Sequence, residues 1–201
     1  MPHHDAPTTW RHTRTARLLL DAHGPGDLPA VHALHADPAV WGHFPSGRHT
    51  TLEQTVATVA GDEERWAGDG LAPWSVRLAE AGPGSPVVGR AGCSVRRTDE
   101  GPLPWWNLYY RLSPAVQGRG LATEVGRHAM TAAAAVAPDR PVLAFLVEHN
   151  VASRRTAEGL GLRLVHRGPD TGNPDPDAVR LVYLDRVPTA EVTAALRRLW
   201  V

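Results

Sequence analysis

A glycine-rich turn between a predicted strand and a predicted helix constrains the fold of this chain more than any other sequence feature. The strand covers residues 105–112, an alanine-rich helix covers residues 120–137, and an apolar strand follows at residues 142–147. A strand, a helix and a second strand in this order form a βαβ unit, which pairs parallel strands in one sheet. The sequence therefore predicts a sheet with at least one parallel pair.

The other predicted elements favour antiparallel neighbours for this unit. Hydrophobic periodicity and turn residues predict further strands at residues 13–20, 74–78, 87–95, 162–166 and 179–183. Helices are predicted at residues 28–37, 50–66 and 151–158 and after Pro188. Asp27 stands at the first helix N-cap, and Thr50 with Glu53 has capping-box spacing at the second. The expected fold class is α/β of the mixed α+β type, with a mostly antiparallel or mixed sheet.

The composition excludes several enzyme classes. All 21 basic residues are arginine, so the chain lacks the lysine of a P-loop NTPase and the side-chain amine of pyridoxal enzymes and Schiff-base aldolases. A Gly-x-Ser-x-Gly elbow is absent, which argues against an α/β-hydrolase. A dinucleotide fingerprint would need glycine or alanine at Thr123 and several consecutive βαβ units, which this chain does not offer.

Length and charge limit the organisation of the chain. With 201 residues we expect a tail at residues 1–12, one domain at residues 13–187 and a helical extension at residues 188–201. The zero net charge creates no general field for nucleic acid, no apolar stretch reaches bilayer length, and Cys93 alone forms no internal disulfide. We expect a cytoplasmic protein without a direct nucleic-acid or membrane partner.

The turn at residues 117–122, Gln-Gly-Arg-Gly-Leu-Ala, is a candidate anion site. Backbone N–H groups and the helix dipole favour a phosphate at the start of a helix, and glycines allow its close approach. Arg119 would add a local positive charge. The same residues fit an ordinary strand-to-helix turn equally well.

Two motifs in the expected order resemble the GCN5-related N-acetyltransferase (GNAT) family. Residues 117–122 match the family pattern Gln/Arg-x-x-Gly-x-Gly/Ala. Residues 150–153, Asn-Val-Ala-Ser, and residues 160–162, Leu-Gly-Leu, match its Asn-x-x-Ser and closing Leu-Gly-Phe with Leu for Phe. The resemblance covers about residues 13–186 and is strongest to the branch that acetylates ribosomal-protein N-termini.

This resemblance implies a GNAT-like sheet of about seven strands, flanked by helices and splayed between its fourth and fifth strands, residues 105–112 and 142–147. It implies acetyl-CoA as cosubstrate, with the pantetheine arm in that gap, and no metal. The implied CoA-binding residues are Leu112, Gln117, Gly118, Arg119, Gly120, Leu121, Ala122, Thr123, Asn150 and Arg155. Arginines such as Arg154 and Arg155 also fit a solvated helix face.

The chain departs from the family pattern at two catalytic positions. Many relatives carry a tyrosine acid seven positions after the motif asparagine, where this chain has Ala157. The resemblance instead nominates Ser153 as the acid toward the departing thiolate, although a hydroxyl at a helix start also caps backbone amides. Relatives often carry glutamate on the fourth strand where this chain has Asn107, and asparagine accepts no proton.

Glu148 and His149, just after the fifth strand, are the candidate bases. His149 is favoured because histidine changes its charge near neutral pH. Asn107 is a candidate for ordering a water molecule beside the reacting amine. Both Glu148 and His149 also fit solvated positions at a strand end. An N-terminal α-amine has a pKa of ~8 and an alkyl amine a pKa of ~10, so the α-amine needs a weaker base to lose its proton.

The expected reaction is direct transfer of an acetyl group to a primary amine in a ternary complex. The amine belongs to a protein N-terminus or a small molecule, and the protein is expected to be a monomer or homodimer. Asp170, Asp175 and Asp177 form a loop that we expect to attract a cationic amine. The alternative function is a non-catalytic acyl-CoA sensor or interaction protein.

Three further sets of residues are interpreted as structural, without a catalytic or metal-binding role. His32 and His35 lie one turn apart, but without converging carboxylates or a second cysteine the 11 histidines are expected to be scattered over the surface. Cys93 is expected to be a small strand residue. Trp105 and Trp106 line a tunnel or fill a core, and a core is the default.

Overall fold

The computed structural model describes residues 10–82, 84–171 and 173–199. Over these residues, eight strands form one mixed and mostly antiparallel sheet in the order β1-β2-β3-β4-β7-β8-β10-β9, and β5 and β6 form a separate hairpin. Helices flank both faces of the sheet, which confirms the predicted fold class. The strands are β1 (His12–Arg14), β2 (Leu18–Asp21), β3 (Trp74–Leu78), β4 (Gly89–Ser94), β5 (Arg97–Thr98), β6 (Gly101–Pro102), β7 (Trp106–Leu112), β8 (Val142–Val147), β9 (Arg163–Pro169) and β10 (Val179–Leu184).

Six α-helices are found in the same part of the chain. They are α1 (Leu28–Ala36), α2 (Pro38–Trp41), α3 (Leu52–Gly68), α4 (Leu121–Val136), α5 (Val151–Gly159) and α6 (Ala190–Arg198). Helix α4 connects β7 to β8 and completes the predicted βαβ unit. All other strand pairs in the main sheet are antiparallel.

The parallel strands β7 and β8 separate soon after they meet. Their register contains two residue pairs, Trp106 with Val142 and Asn107 with Leu143, although the strands are seven and six residues long. Beyond these pairs, β7 keeps its antiparallel bonding to β4 and β8 keeps its bonding to β10. The sheet therefore opens between its two halves at the place where the sequence resemblance predicted a splay.

Alternation along β7 divides its side chains between the two faces of the sheet. Trp106, Leu108 and Leu112 belong to a large core that also contains apolar residues of α4. Asn107 and Tyr109 point to the opposite face, where they meet residues of α3 across a cleft. One strand thus separates two chemically different surfaces, an apolar one under α4 and a polar one under α3.

The ends of the chain also pack on the sheet. The indole Nε1 of Trp74 donates to the carbonyl of Trp10 (2.6 Å), and Trp10 packs against the large core. Helix α6 buries Val192 and Leu196 in a second core with Leu143. Most of the predicted tail, residues 1–9, lies outside the described residues, and the division at residues 12 and 187 stays a prediction.

The structure corrects two local predictions. Residues 13–20 do not form one strand: β1 and β2 pair as a hairpin, and Thr15 closes its turn by donating its N–H to the Leu18 carbonyl (2.9 Å). The capping box of α3 uses Thr51 and Gln54 in place of Thr50 and Glu53, because the Gln54 amide oxygen accepts from the Thr51 N–H (3.2 Å). Both errors come from local geometry that the apolar pattern does not specify.

Candidate active site

The glycine loop leads from the end of β7 into α4. The Gln117 side chain donates from Nε2 to the carbonyl of Leu112 (2.8 Å), which ties the loop to the strand. Gly118 and Gly120 both have φ of 74°, a conformation that favours glycine. A methyl group on Gly118 would meet no atom within 4 Å, so the loop faces open space. The first amides of α4 lack partners within the helix and point to this space, which is the geometry of an anion site.

A clamp from the β1–β2 hairpin holds the start of α4. The Glu124 carboxylate accepts from the Thr15 hydroxyl (2.5 Å), the Arg17 N–H (2.9 Å) and Arg17 Nε (2.5 Å). Arg17 also donates from Nη1 to the carbonyl of Arg119 (2.9 Å) inside the loop. Burial alone would raise the pKa of Glu124, but the bonds from Thr15 and Arg17 lower it overall. Glu124 therefore has a structural role at the start of α4, where the helix dipole also favours a carboxylate.

The remaining residues implied for CoA lie around this loop. Ala122 and Thr123 are half-buried in the first turn of α4, and the Leu121 side chain is buried in the large core. Arg119 is exposed and forms a surface ion pair with Glu80 (3.3 Å). Arg155 is exposed on α5. Backbone groups, more than charged side chains, thus form the inner surface of the loop.

Ser153 lies across the opening from β7. Asn150 caps α5 by accepting the Ser153 N–H at Oδ1 (3.1 Å). The Tyr110 hydroxyl on β7 lies 3.0 Å from Ser153 Oγ and 3.0 Å from its carbonyl oxygen. This contact joins the two halves of the sheet on the α4 side, three residues beyond the last β7–β8 pair.

Tyr110 is a site residue that sequence reasoning missed. Burial raises the pKa of Tyr110 to about 12, against the lowering effect of its bond to Ser153, so the hydroxyl stays protonated at neutral pH. The only signal for it in the sequence is the alternation along β7, which places Tyr110 on the same face as Leu108 and Leu112. That alternation does not indicate its partner, which is 43 residues away in the chain.

The two candidate bases have different surroundings. His149 Nε2 lies 3.0 Å from the carbonyl oxygen of His43. A carbonyl only accepts, so Nε2 carries the proton and Nδ1 of the neutral ring keeps a free lone pair. Glu148 instead accepts two bonds from Arg167 (2.7 and 2.9 Å), and these hydrogen bonds lower the pKa of Glu148. The lowered pKa makes Glu148 a poorer proton acceptor than an unpaired glutamate.

A polar cleft of about 370 Å³ lies on the α3 side of β7. Asn107 lines it, as does Tyr109, whose ring lies under the guanidinium of Arg90 (4.7 Å to the ring centroid). The cleft is lined by Ala57, Thr58, Arg65, Pro73, Arg90, Ser94, Asn107 and Tyr109. The cleft and the glycine loop thus lie on opposite sides of β7.

A buried charge network supports the floor of this cleft. The Asp62 carboxylate, 1 % exposed, accepts from Arg90 (2.6, 2.7 and 2.8 Å), from Arg65 (3.1 Å) and from the His23 ring (3.1 Å). Burial alone would raise the pKa of Asp62, but Arg90 and His23 lower it overall. The His23 ring continues to Ser75 (2.7 Å) and so links α3 to β3.

The prediction that the histidines are scattered over the surface is wrong for this region. His35 is 3 % exposed and stacks on His49 with ring centroids 4.3 Å apart. Burial, with the nearby charge of Arg90, lowers the pKa of His35 to about 2. The spacing of His32 and His35 gave no sign that tertiary packing would bury one of them. No group of three or more metal-ligating side chains occurs among the residues described.

The three aspartates of the acidic loop have different surroundings, and their role in attracting an amine stays a prediction. Asp170 is buried, pairs with Arg180 and accepts from the Asn173 amide (2.8 Å). Its carboxylate therefore bonds within the protein and stabilises the loop. Asp175 and Asp177 remain exposed.

Two predicted core positions are as expected. Trp105 and Trp106 are 0 % and 1 % exposed and fill the cores. Cys93 is buried in β4, and burial raises the pKa of its thiol.

No helix in the described part of the chain is long and apolar enough to span a bilayer.

Comparison with a known family covers most of the chain. The sequence model of the acetyltransferase (GNAT) domain matches residues 17–163. This range begins at the hairpin that clamps the glycine loop and ends at the start of β9. It therefore includes the glycine loop, the opening between β7 and β8, and the Tyr110–Ser153 contact.

Solved structures share the same fold at low sequence identity. An acetyltransferase from Agrobacterium tumefaciens str. C58 is 23% identical, with a TM-score of 0.69, and the match covers 88% of this chain and 94% of that one. RimL, a ribosomal L7/L12 alpha-N-protein acetyltransferase solved with coenzyme A, is 18% identical (TM-score 0.68, 86% and 95% covered). MccE, the microcin C7 self immunity acetyltransferase solved with acetyl-CoA and AMP, is 10% identical (TM-score 0.66, 86% and 94% covered).

Proposed function

Because the chain belongs to the GNAT family of acetyltransferases, we propose that it transfers an acetyl group from acetyl-CoA directly to a primary amine in a ternary complex. The observation that carries this proposal is the opening between β7 and β8, which has the glycine loop on one side and the polar cleft on the other. Structural neighbours solved with CoA or acetyl-CoA support the choice of cosubstrate.

The glycine loop fits a pyrophosphate group. Gly118 faces open space beside the start of α4, and the bonds among Arg17, Glu124 and the Arg119 carbonyl hold that turn in place before a ligand arrives. The proposed CoA contacts are Leu112, Gln117, Gly118, Arg119, Gly120, Leu121, Ala122, Thr123, Asn150 and Arg155. Preorganised backbone donors suit an anion because they cost little reorganisation on binding.

The proposed base is His149. Its Nε2 proton is held by the His43 carbonyl, so Nδ1 is the atom that accepts a proton from the attacking amine. Asn107 lines the cleft and orders a water molecule that carries this proton where the amine does not reach the ring directly. Glu148 keeps Arg167 in place and stays ionised beside the base.

The proposed acid side consists of Ser153 and Tyr110. Acetyl-CoA supplies an activated thioester, so the new C–N bond forms as the C–S bond breaks and the sulfur leaves as a thiolate. Tyr110 donates its hydroxyl proton to the Ser153 carbonyl, so the Ser153 hydroxyl keeps its own proton, which bonds that sulfur in the reaction. The raised pKa of Tyr110 keeps its proton available at neutral pH.

An acetylation assay with a panel of acceptors tests the proposal. Purified protein is mixed with acetyl-CoA and either N-terminal peptides, amino acids, polyamines or aminoglycosides, and free thiol release is followed together with a mass gain of the acceptor. We expect thiol release and acceptor acetylation at equal rates, both abolished when the acceptor is omitted. A calorimetric titration with acetyl-CoA runs in parallel.

The parallel titration separates the two candidate functions. Tight acetyl-CoA binding with no acetylated product from any acceptor would contradict the enzyme and favour the acyl-CoA sensor. Size-exclusion chromatography of the same sample determines whether the protein is a monomer or a homodimer.

A further inference from the structure

The guanidinium of Arg111 is a half-buried cation on the same strand as Asn107 and Tyr109, which line the polar cleft. It lies flat over the Trp41 ring, 3.2 Å from the ring centroid, and over the ring of Tyr109 at 5.7 Å. Arg111 donates a long hydrogen bond from Nη1 to the carbonyl of Val40 (3.4 Å), the Tyr109 hydroxyl also favours its charged form, and Nε is buried without a hydrogen-bond partner. The aromatic rings occupy the faces of the guanidinium, so a ligand reaches its N–H donors along the edge.

No carboxylate of the described residues pairs with Arg111. Asp62 is the carboxylate of this region, and Arg90 and Arg65 already bond to it. Two guanidinium groups therefore share the Asp62 carboxylate, and Arg111 has no carboxylate partner among the described residues. A half-buried cation with no counter-ion is costly, because it gives up water without gaining an ionic partner.

Polar groups near Arg111 also lack hydrogen-bond partners. Both ring nitrogens of His35 and the indole Nε1 of Trp41 are buried without hydrogen-bond partners in the described structure. His43 and His49 lie near enough to Arg111 that its charge contributes, after burial, to lowering their pKa values. The region around Trp41 is thus rich in donors and positive in potential.

We propose that Arg111 binds a carboxylate carried by the acceptor, so that the preferred acceptors are amines with a carboxylate close to the amine. This inference rests on the proposed acetyltransferase function and adds the substrate class. A carboxylate can accept two parallel N–H bonds from the guanidinium edge, which gives it an orientation that a single point charge lacks. The carboxylate is either the α-carboxylate of a free amino acid or an acidic side chain at a peptide N-terminus.

The position of Arg111 brings this carboxylate close to the proposed base. His43 is close to Arg111, and the carbonyl of His43 holds the His149 ring. A carboxylate on Arg111 would therefore leave the amine of the same small molecule on the side of His149. The alternation of β7 places Arg111 on the face of Asn107 and Tyr109, away from the Tyr110–Ser153 contact.

Binding to the CoA-saturated protein tests the anion site without turnover. Two probe pairs differ in one carboxylate: alanine against alaninamide, and Asp-Ala-Ala amide against Asn-Ala-Ala amide. We expect the carboxylate member of one pair to bind at least about tenfold more tightly by calorimetry, and the pair that shows the difference identifies the carboxylate source. Arg111→Gln should remove the difference, and Arg111→Lys should restore part of it.

Two further measurements keep the result interpretable. The dissociation constant for CoA reports folding of each variant and should stay unchanged, and Arg163→Gln, an exposed arginine on the edge strand β9, should keep the full preference. Equal binding within both probe pairs, or a preference that survives Arg111→Gln, would overturn the inference. Failure of every acceptor in the acetylation assay would overturn the proposed function instead, while the binding ratio still reports on Arg111.

Discussion

At the scale of single residues, Ser153 and Tyr110 make the sharpest mechanistic prediction. Ser153→Ala should lower kcat about 100-fold, because it removes the hydrogen bond to the leaving sulfur, and Tyr110→Phe should lower it by a smaller factor. Neither change should alter the dissociation constant for acetyl-CoA by more than about twofold, since the glycine loop is untouched. Steady-state kinetics with direct titration of acetyl-CoA measures both quantities.

The matched control for this pair is Thr156→Ala. Thr156 is on the same helix and its hydroxyl donates to the carbonyl of Ala152 (3.0 Å), away from β7. It should leave kcat unchanged. Full turnover by Ser153→Ala across the pH range would show that the acid assignment is wrong.

His35 makes a prediction about stability and pH. Burial lowers the pKa of folded His35 from 6.5 to about 2, so between these values only the unfolded chain binds the proton. The free energy of unfolding should therefore fall as the pH drops below about 6.5, with this residue contributing up to about 1.4 kcal/mol per pH unit.

The substitution His35→Phe isolates this contribution. It keeps an aromatic ring and removes the titrating group, so urea unfolding should show a shallower loss of stability between pH 6.5 and 4.5. Above pH 7.5 the two proteins should have parallel profiles, because neutral histidine is present in both states. An unchanged slope in the acidic range would contradict the assignment.

Single residues were predictable from the sequence where their role is local. Gly118 and Gly120 could be placed because a turn with positive φ favours glycine, and Asn150 because it begins a helix. Tyr110 and Arg111 could not be placed, because their partners lie 43 and 71 residues away in the chain. Contacts of that kind depend on how strands pair, which single-residue patterns do not encode.

At the scale of elements, the β1–β2 hairpin acts on the cosubstrate site through Glu124. Glu124→Gln should raise the dissociation constant for CoA about tenfold, because it weakens the bonds from Thr15 and Arg17 that orient the first turn of α4. Arg17→Ala should have an effect of similar size. Arg14→Ala, an exposed residue of the same hairpin, should leave CoA binding unchanged.

Isothermal titration with CoA measures the effect of these three variants. Their thermal unfolding is recorded as well, since a loss of CoA affinity with an unchanged unfolding midpoint indicates a positioning role. If Glu124→Gln binds CoA as tightly as the parent protein, the clamp does not position the loop.

Elements with a strong periodic pattern were predictable, and elements defined by their partners were not. The apolar run of β8 and the alanine-rich face of α4 specify their type without reference to neighbours. Residues 13–20 contain the same kind of apolar run, yet the chain turns back at Thr15 because its amide and hydroxyl both bond to Leu18. The short hairpin of β5 and β6 has no apolar pattern and was not predicted.

At the scale of the whole molecule, the two proposed substrate sites lie on opposite faces of a single strand. The glycine loop and Ser153 are on the α4 face of β7, and Asn107, Tyr109 and Arg111 are on the α3 face. This arrangement lets the two ligands approach each other only through the opening beside β7. The family resemblance predicted the opening. The chemistry of the α3 face could not be predicted from the sequence, because it depends on how α1 and α3 pack against the sheet.

Cosubstrate binding should stabilise the protein and protect this opening. At about 100 times its dissociation constant, CoA should raise the free energy of unfolding by about 2.7 kcal/mol. Amide hydrogen exchange should slow most in the outer parts of β7 and β8, where the strands do not pair with each other. Protection confined to the glycine loop would show that the ligand does not enter the opening.

The two residue pairs that join β7 to β8 also have a mechanical consequence. These pairs are the backbone connection between two parts of the sheet. One part contains β1 to β4 and β7, and the other contains β8 to β10. Along the rest of that boundary, backbone amides and carbonyls of the two strands are not used by each other, and an extended molecule with its own amide groups can occupy their place. The cosubstrate would then lie between β7 and β8 in the position of an additional strand. The sheet would be continuous across this boundary only while the cosubstrate is bound.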